Sequence, residues 1–167
     1  MRRVAERGAC GGSLEYLTAT AEVSVIVTED STQVDGIGGV LWDGTFVMNE
    51  FLEQLLGSFH PVCPVELHII ELGCGAGLTS LVLDALLSAG KLNPLVNLKI
   101  TCTDRFTDLA AQNCASQAGR TVNVTVQELE WDTLAGEKLA AERGKADIIL
   151  GSEIMVLNKQ QQHLIDT

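Results

Sequence analysis

The chain has 167 residues, of which 46% are hydrophobic and 20% charged, as expected for one globular domain with its own core. Its formal net charge is −11, and no basic patch follows Arg2, Arg3 and Arg7, so a nucleic-acid partner is excluded. The negative net charge favours basic partners such as lysine-rich protein segments. No stretch of the sequence is long and apolar enough to span a bilayer.

For the first third of the chain, the sequence predicts a lead-in, then an irregular hairpin and then a helix. Residues 1–20 show weak periodicity and predict a poorly ordered lead-in. Residues 21–28 alternate and are β-branched, which predicts a strand, and the glycine-containing residues 34–41 return as an irregular second strand of a hairpin. Apolar residues three or four apart predict an amphipathic helix over residues 43–56, with Asp43 as its N-cap.

Strands and helices alternate from residue 65 onward. The predicted strands are 65–72, 97–103, 122–129 and 146–151, and the predicted helices are 78–88, 107–118 and, as helix or loop, 133–144. Such alternation indicates βαβ crossovers, hence an α/β three-layer sandwich with a mostly parallel sheet. The last strand would be an unprotected apolar edge, so we expect a fragment whose C-terminal strands are missing.

A glycine loop joins the first of these strands to its helix. Gly73, Gly75 and Gly77 let the backbone turn sharply, approach a ligand closely and present the free N–H groups of a helix N-terminus. The dinucleotide pattern requires a small residue where Leu78 stands, and no GK[ST] follows, which excludes a Walker A loop.

Two acidic residues indicate which nucleotide-like ligand the loop takes. Glu71 lies two residues before Gly73, where a carboxylate suits a cationic ligand and disfavours a pyrophosphate. Asp104 ends the next strand, where a carboxylate can accept hydrogen bonds from both hydroxyls of a ribose. S-adenosylmethionine carries two positive groups and no phosphate, so the pattern favours it over a nicotinamide cofactor.

Cysteine and histidine usage indicates a reducing compartment and no metal. The five cysteines are odd in number and never spaced as CxxC, and the three histidines are isolated from one another. We therefore expect free thiols, a cytoplasmic location and no zinc site.

The ordered motifs resemble those of a known family. These are VLWDG at residues 40–44, ELGCGAG at 71–77, Thr103-Asp104, LEW at 129–131 and DIILGSE at 147–153. Together they look like the seven-β-strand protein-lysine methyltransferases of the methyltransferase-16 family. The resemblance covers residues 21–165 and implies a Rossmann-like class I methyltransferase fold, with 21–167 as a partial S-adenosylmethionine-binding domain.

The family pattern implies roles for individual residues. Those implied to contact the cofactor are Trp42, Glu71, Gly73, Gly75, Gly77, Asp104, Leu129, Trp131 and Ser152. Glu153 opens the family's [DE]xxY motif and is implied to be the catalytic residue that orients a substrate lysine and accepts its proton. Val156 stands where that motif has tyrosine.

Three functions follow from this reading. The first is an S-adenosylmethionine-dependent methyltransferase acting on a lysine side chain of a protein. The second, motivated by Val156, is an inactive pseudo-methyltransferase that serves as an interaction module. The third is a nicotinamide-dependent oxidoreductase, which Leu78 and Glu71 disfavour.

Overall fold

The computed structural model describes residues 2–8, 11–32, 38–117 and 123–154, and this part of the chain forms two β-sheets and four helices. The strands are β1 Arg2–Gly8, β2 Gly11–Leu17, β3 Ser24–Asp30, β4 Val65–Leu72, β5 Val96–Asp104, β6 Val124–Glu128 and β7 Ile148–Gly151. The helices are α1 Asp43–Gly57, α2 Leu78–Ser88, α3 Asp108–Ala115 and α4 Thr133–Arg143.

The larger sheet is parallel and covered by helices on both faces. Its strand order is β6-β5-β4-β7, and all three strand pairs are parallel. Ile69 of β4 packs in the main core with α1 and α2, whereas Ile70 packs with Leu139 of α4 on the opposite face. The predicted α/β sandwich with a parallel sheet is confirmed.

The order of the strands fixes where a ligand can bind. From β4 the chain proceeds outward through β5 to β6, and then returns to place β7 on the other side of β4. In open parallel sheets, ligands bind outside the carboxyl ends of the strands where the order reverses. Here that position lies between the ends of β4 and β7. Within the described ranges β7 is an edge strand, and its Ile149 is 66% exposed.

The smaller sheet lies at the N-terminus. It is antiparallel in the order β1-β2-β3, and residues 2–8 and 11–17, within the predicted lead-in, form two of its strands. The predicted small N-terminal hairpin sheet is present, with β2 as a strand that pairs with β3. Of the predicted return strand only residues 38–41 are described, and Gly39 accepts the Asp30 N–H at 2.8 Å. Leu14 and Tyr16 of β2 are buried like Val25 and Val27 of β3, and this shared apolar face stabilises the pairing.

The smaller sheet is attached to α1. The rings of Tyr16 and Phe46 lie 5.7 Å apart, and the Glu53 carboxylate accepts hydrogen bonds from the N–H groups of Ala19, Thr20 and Ala21. Burial acts to raise the pKa of Glu53, but hydrogen bonds from Thr20, Ala21 and Ala19 outweigh it and hold the pKa below its ordinary value.

Helix α1 differs in detail from its prediction. Its N-cap position is Trp42, and Asp43 is the first helical residue, where its charge still suits the helix dipole. Only part of the predicted apolar stripe is buried, because Val47, Phe51 and Leu55 face outward.

The remaining elements follow the predicted order with small changes at their ends. Residues 34–37, 118 and 122 of the predicted elements lie outside the described residues, as do Cys10 and Val156. Within the described ranges, no helix is both long and apolar enough to cross a membrane.

Candidate functional site

The glycine loop follows β4 as a left-handed turn that leads into α2. Gly73, Gly75 and Gly77 have φ values of 65°, 53° and 81°, a region in which residues with a Cβ are strained. Cys74 donates its N–H to the Thr103 carbonyl at 2.9 Å, which binds the loop to β5. The loop is therefore held by backbone hydrogen bonds in a conformation that favours glycine at all three positions.

Two of these glycines also lie against neighbouring groups. A Cβ at Gly75 would stand 2.7 Å from the Gly38 carbonyl oxygen, which is too close for any side chain. A Cβ at Gly73 would lie 2.8 Å from the Ile154 side chain and 3.3 Å from the Trp131 ring. The side of Gly73 that lacks a side chain thus opens toward the end of β7.

Asp104 ends β5 beside the loop and supports it. Its Oδ2 accepts the Gly75 N–H at 2.8 Å, and its Oδ1 accepts the Phe106 N–H at 3.1 Å. The side chain is only partly buried, and each carboxylate oxygen has a further lone pair for a ligand hydroxyl. Asp104 therefore shapes the loop and can still take part in binding.

Glu71 lies beneath the loop and points into the protein. The residue is 6% exposed, and its Oε2 accepts hydrogen bonds from the Ser80 N–H at 3.1 Å and the Ser80 hydroxyl at 2.5 Å. Burial raises the pKa of Glu71 to about 7, and the charge of Asp104 adds to that rise while the Ser80 hydrogen bonds oppose it. The carboxyl group thus fastens the start of α2, and its direct contact with a cofactor stays a prediction.

Leu129 and Trp131 border the loop on the α4 face. Leu129 is buried and donates its N–H to the Asp104 carbonyl at 2.9 Å. Trp131 is partly buried and packs with Leu72 and Leu129. An aromatic ring and an apolar side chain therefore stand beside Asp104 and Gly73, as an adenine would require.

The segment after β7 reaches the start of α1. Glu153 has a φ of 58°, and its Oε1 accepts the Gly44 N–H at 3.1 Å. A Cβ at Gly44 would lie within 3 Å of both the Glu153 side chain and the Ser152 hydroxyl, so a larger residue there would displace these side chains. Trp42 immediately precedes the helix and is 46% exposed.

A buried amide connects the loop to the smaller sheet. Asn113 of α3 donates from Nδ2 to the carbonyls of Ala76 and Thr28, and its Oδ1 accepts the Thr28 N–H. Asn113 is 1% exposed, so these hydrogen bonds are shielded from water.

The structure brings most of the predicted site residues into two groups at the carboxyl edge of the sheet. The first group comprises Gly73, Gly75, Gly77, Asp104, Leu129 and Trp131, and the second comprises Ser152 and Glu153 beside Gly44. Sequence reasoning missed Ser80, Gly44, Asn113 and Ile154. Ser80 had a signal, since it lies in the first turn of a predicted helix that follows a buried acid. Gly44 also had one, since it ends the VLWDG motif, whereas Asn113 and Ile154 had none.

Acidic, cysteine and histidine side chains are the residues that could bind a metal ion. Across residues 2–8, 11–32, 38–117 and 123–154, no three such side chains are placed to hold a metal ion.

The sequence of the chain is similar to those of known proteins. A family model described as lysine methyltransferase matches residues 19–167. The non-reducing polyketide synthase esdpA of Penicillium shearii is 31% identical over 122 residues, which is 72% of this chain and 5% of the synthase.

A solved structure described as the SAM-dependent methyltransferase from Agrobacterium tumefaciens shares the fold. It superposes with a TM-score of 0.56 at 17% identity, over 87% of this chain and 40% of that chain. The chain thus spans less than half the length of either relative.

Proposed function

We propose, since the chain belongs to the lysine methyltransferase family, that it binds S-adenosylmethionine and transfers its methyl group to a lysine side chain of a protein. Family membership implies this cofactor. The observation that carries the proposal is the glycine loop at the end of β4, with Asp104 hydrogen-bonded to Gly75 and Trp131 packed beside Gly73.

The charges around the loop suit this cofactor. The loop sequence from residue 71 to 77 carries a carboxylate and no lysine or arginine, and Asp104 adds a second carboxylate. A pyrophosphate would be repelled there, whereas an ammonium and a sulfonium would be attracted. The loop therefore fits S-adenosylmethionine better than a dinucleotide.

Each part of the cofactor then has a proposed neighbour. The backbone of Gly73, Gly75 and Gly77 would hold the amino-acid end, and Asp104 would take the ribose hydroxyls. Leu129 and Trp131 would border the adenine. Trp42 and Ser152 would close the cofactor side near the start of α1, and Glu71 would hold the loop in place from beneath through its hydrogen bonds to Ser80.

The proposed methyl transfer mainly requires that the protein positions the cofactor and the lysine amine. When bound, S-adenosylmethionine supplies an electrophilic methyl group on a sulfonium. A lysine amine has a pKa of about 10.4 in water, so it must lose a proton before it can react. We propose that the exposed Glu153 carboxylate accepts a hydrogen bond from that amine, orients it and receives its proton.

The substrate side of the proposal follows from charge. A net charge of −11 attracts lysine-rich segments over distances of about 10 Å and repels nucleic acid. A cationic peptide is therefore the partner that we propose. Val156, which replaces the family's tyrosine, lies outside the described residues. The cytoplasmic location of the protein stays a prediction.

Calorimetry with S-adenosylhomocysteine tests the cofactor step. We expect binding by the wild-type chain, loss of binding in Gly73→Arg and Asp104→Ala, and unchanged binding in Asp108→Ala, an exposed acid in the first turn of α3. Circular dichroism of each variant checks that it is folded. A folded wild-type chain that binds no S-adenosylhomocysteine would refute the proposal.

Methyl transfer is tested separately with a lysine-rich protein extract and mass spectrometry of the products. Methyl groups on lysine would support the enzyme. Cofactor binding with methylation of another residue type would correct the acceptor, and binding with no transfer at all would support the interaction module instead.

A further inference from the structure

The Ile154 side chain occupies the position between the ends of β4 and β7 where the strand order reverses. A Cβ at Gly151 would lie 2.3 Å from its Cδ1, and a Cβ at Gly73 would lie 2.8 Å from its Cγ2. Ile154 therefore covers the last residue of β7 and the first residue of the glycine loop at the same time. A ligand that contacts Gly73 on its open side must use the same space.

The backbone before Ile154 is held in a strained conformation. Glu153 has a φ of 58°, a conformation that is strained for a residue with a Cβ. Among the described residues, the only other non-glycine with a positive φ is Glu22, in the turn before β3. Strain of this kind persists only where other contacts hold it in place.

The contacts that hold this conformation come from opposite sides of the crevice. The Glu153 carboxylate accepts the Gly44 N–H at the start of α1, which also places a negative charge at the positive end of that helix. Ile154 packs over Gly73 and Gly151 and lies on the same side of Gly73 as the Trp131 ring. One polar and one apolar contact therefore keep Ser152 to Ile154 folded across the crevice.

We propose that Ile154 is a cofactor-gating residue and that the Glu153–Gly44 hydrogen bond is its latch. The inference rests on the proposed function, because it assumes that S-adenosylmethionine lies on Gly73. In the conformation seen here the gate is closed. Opening releases the Glu153 carboxylate from Gly44 and relieves the strain at Glu153, so cofactor entry also frees the proposed acceptor of the lysine proton.

The proposal has a quantitative consequence. When only a fraction of the molecules is open, the apparent Kd exceeds the intrinsic Kd by the inverse of that fraction. Weakening the closed state must then tighten binding and speed association. A side chain that only packs against the cofactor would have the opposite effect when shortened, since its contacts would be lost.

The experiment compares the wild-type chain with Ile154→Ala and Glu153→Gln, with Ile149→Ala on the exposed edge of β7 as the control. Calorimetry gives the Kd of S-adenosylhomocysteine, and stopped-flow tryptophan fluorescence gives the association rate. Acrylamide quenching of the ligand-free protein, carried out with Trp42→Phe in every variant so that Trp131 is the remaining tryptophan, reports how far Trp131 is uncovered, independently of the ligand.

We expect Ile154→Ala to lower the Kd and raise the association rate about threefold to tenfold, and Glu153→Gln to act less strongly in the same direction. Quenching of ligand-free Ile154→Ala should increase, and Ile149→Ala should match the wild type. If Ile154→Ala does not fold, Ile154→Val replaces it and should show the same changes at smaller size.

The outcomes separate this proposal from the proposed function. Binding by the wild type with an unchanged or higher Kd in Ile154→Ala would overturn the gate and leave the cofactor site intact. No binding by any folded variant would overturn the cofactor site, and the gate with it.

Discussion

The ends of β4 and β7 lie side by side at the same edge of the sheet, yet they are built differently. After β4, three glycines adopt positive φ at little cost, and Asp104, Thr103 and Ser80 secure the loop or the side chain beneath it. After β7, the positive φ falls on Glu153, which has one hydrogen bond to Gly44 at 3.1 Å. The first end is a fixed surface, and the second stores strain.

This difference suggests that the two strand ends have different roles within one site. The fixed end can present the same groups to the cofactor at every turnover, because its conformation does not depend on a ligand. The strained end can change position at low cost, because the energy released at Glu153 offsets the lost contacts. A site that must both recognise and admit its cofactor needs both properties.

The substitution with the largest expected effect adds a side chain to the glycine loop after β4. In Gly75→Ala, a residue with a Cβ would have to adopt a φ of 53°. The new Cβ would also lie 2.7 Å from the Gly38 carbonyl oxygen. We expect the free energy of unfolding to fall by about 3 to 5 kcal/mol, together with loss of S-adenosylhomocysteine binding. Urea unfolding and calorimetry measure the two effects.

Gly57→Ala is the matched control for this change. Gly57 ends α1, and a Cβ there meets nothing within 4 Å, so this variant should be as stable as the wild type or slightly more stable. A Gly75→Ala variant that behaved like Gly57→Ala would show that the loop is not fixed, and the contrast with the β7 end would be lost.

The second prediction concerns the protonation of Glu71, which lies beneath the glycine loop after β4. Burial raises the pKa of Glu71 to about 7 in the folded chain, against an ordinary value near 4.5. Between these values the unfolded chain releases the proton and the folded chain retains it, so stability falls as pH rises. The loss should reach about 3 kcal/mol by neutral pH and then level off.

Urea unfolding from about pH 5 to about pH 8 measures this slope in the wild type, in Glu71→Gln and in Glu66→Gln. Glu71→Gln imitates the protonated form and should lose most of the slope. Glu66, exposed on the same strand, should keep it when substituted. Equal slopes in all three proteins would show that Glu71 is already charged in the folded chain.

The smallest effect concerns the strained end. Glu22 and Glu153 have φ values of 54° and 58°, and both are exposed, so glycine at either position relieves the same strain. We expect Glu22→Gly to raise the free energy of unfolding by about 0.5 to 1 kcal/mol. Glu153→Gly should gain less, because it also loses the hydrogen bond to Gly44.

The difference between the two glycine variants measures the contribution of the latch. Thermal unfolding of both proteins under identical conditions is sufficient to obtain it. If Glu153→Gly were stabilised as much as Glu22→Gly, the bond to Gly44 would contribute nothing, and the β7 end would be merely strained.

The part of the fold that depends on local pattern was predicted well from the sequence. The strand over residues 65–72, the glycine loop and the helix over 78–88 match the structure, because apolar runs and glycines specify them locally. Asp104 and Trp131 lie beside the loop, since the carboxyl ends of parallel strands lie together, and their contact with a cofactor stays a prediction.

What the sequence could not predict depends on contacts between distant segments. Residues 11–17 pair with β3 through Leu14 and Tyr16, whose two-residue alternation is too short to stand out. Glu153 and Gly44 are 109 residues apart, and only the position of α1 beside the end of β7 brings them together. The gate was missed for the same reason, since Ile154 carries no chemical signal of its own.

Asn113 gives the N-terminal sheet a part in the behaviour of the loop. One buried amide forms hydrogen bonds to both Thr28 and Ala76, so a displacement of β3 would act on the glycine loop through these bonds. A protein that binds the outer sheet and shifts it would therefore alter cofactor affinity without touching the cofactor. By thermodynamic reciprocity, the cofactor would alter affinity for that protein by the same factor.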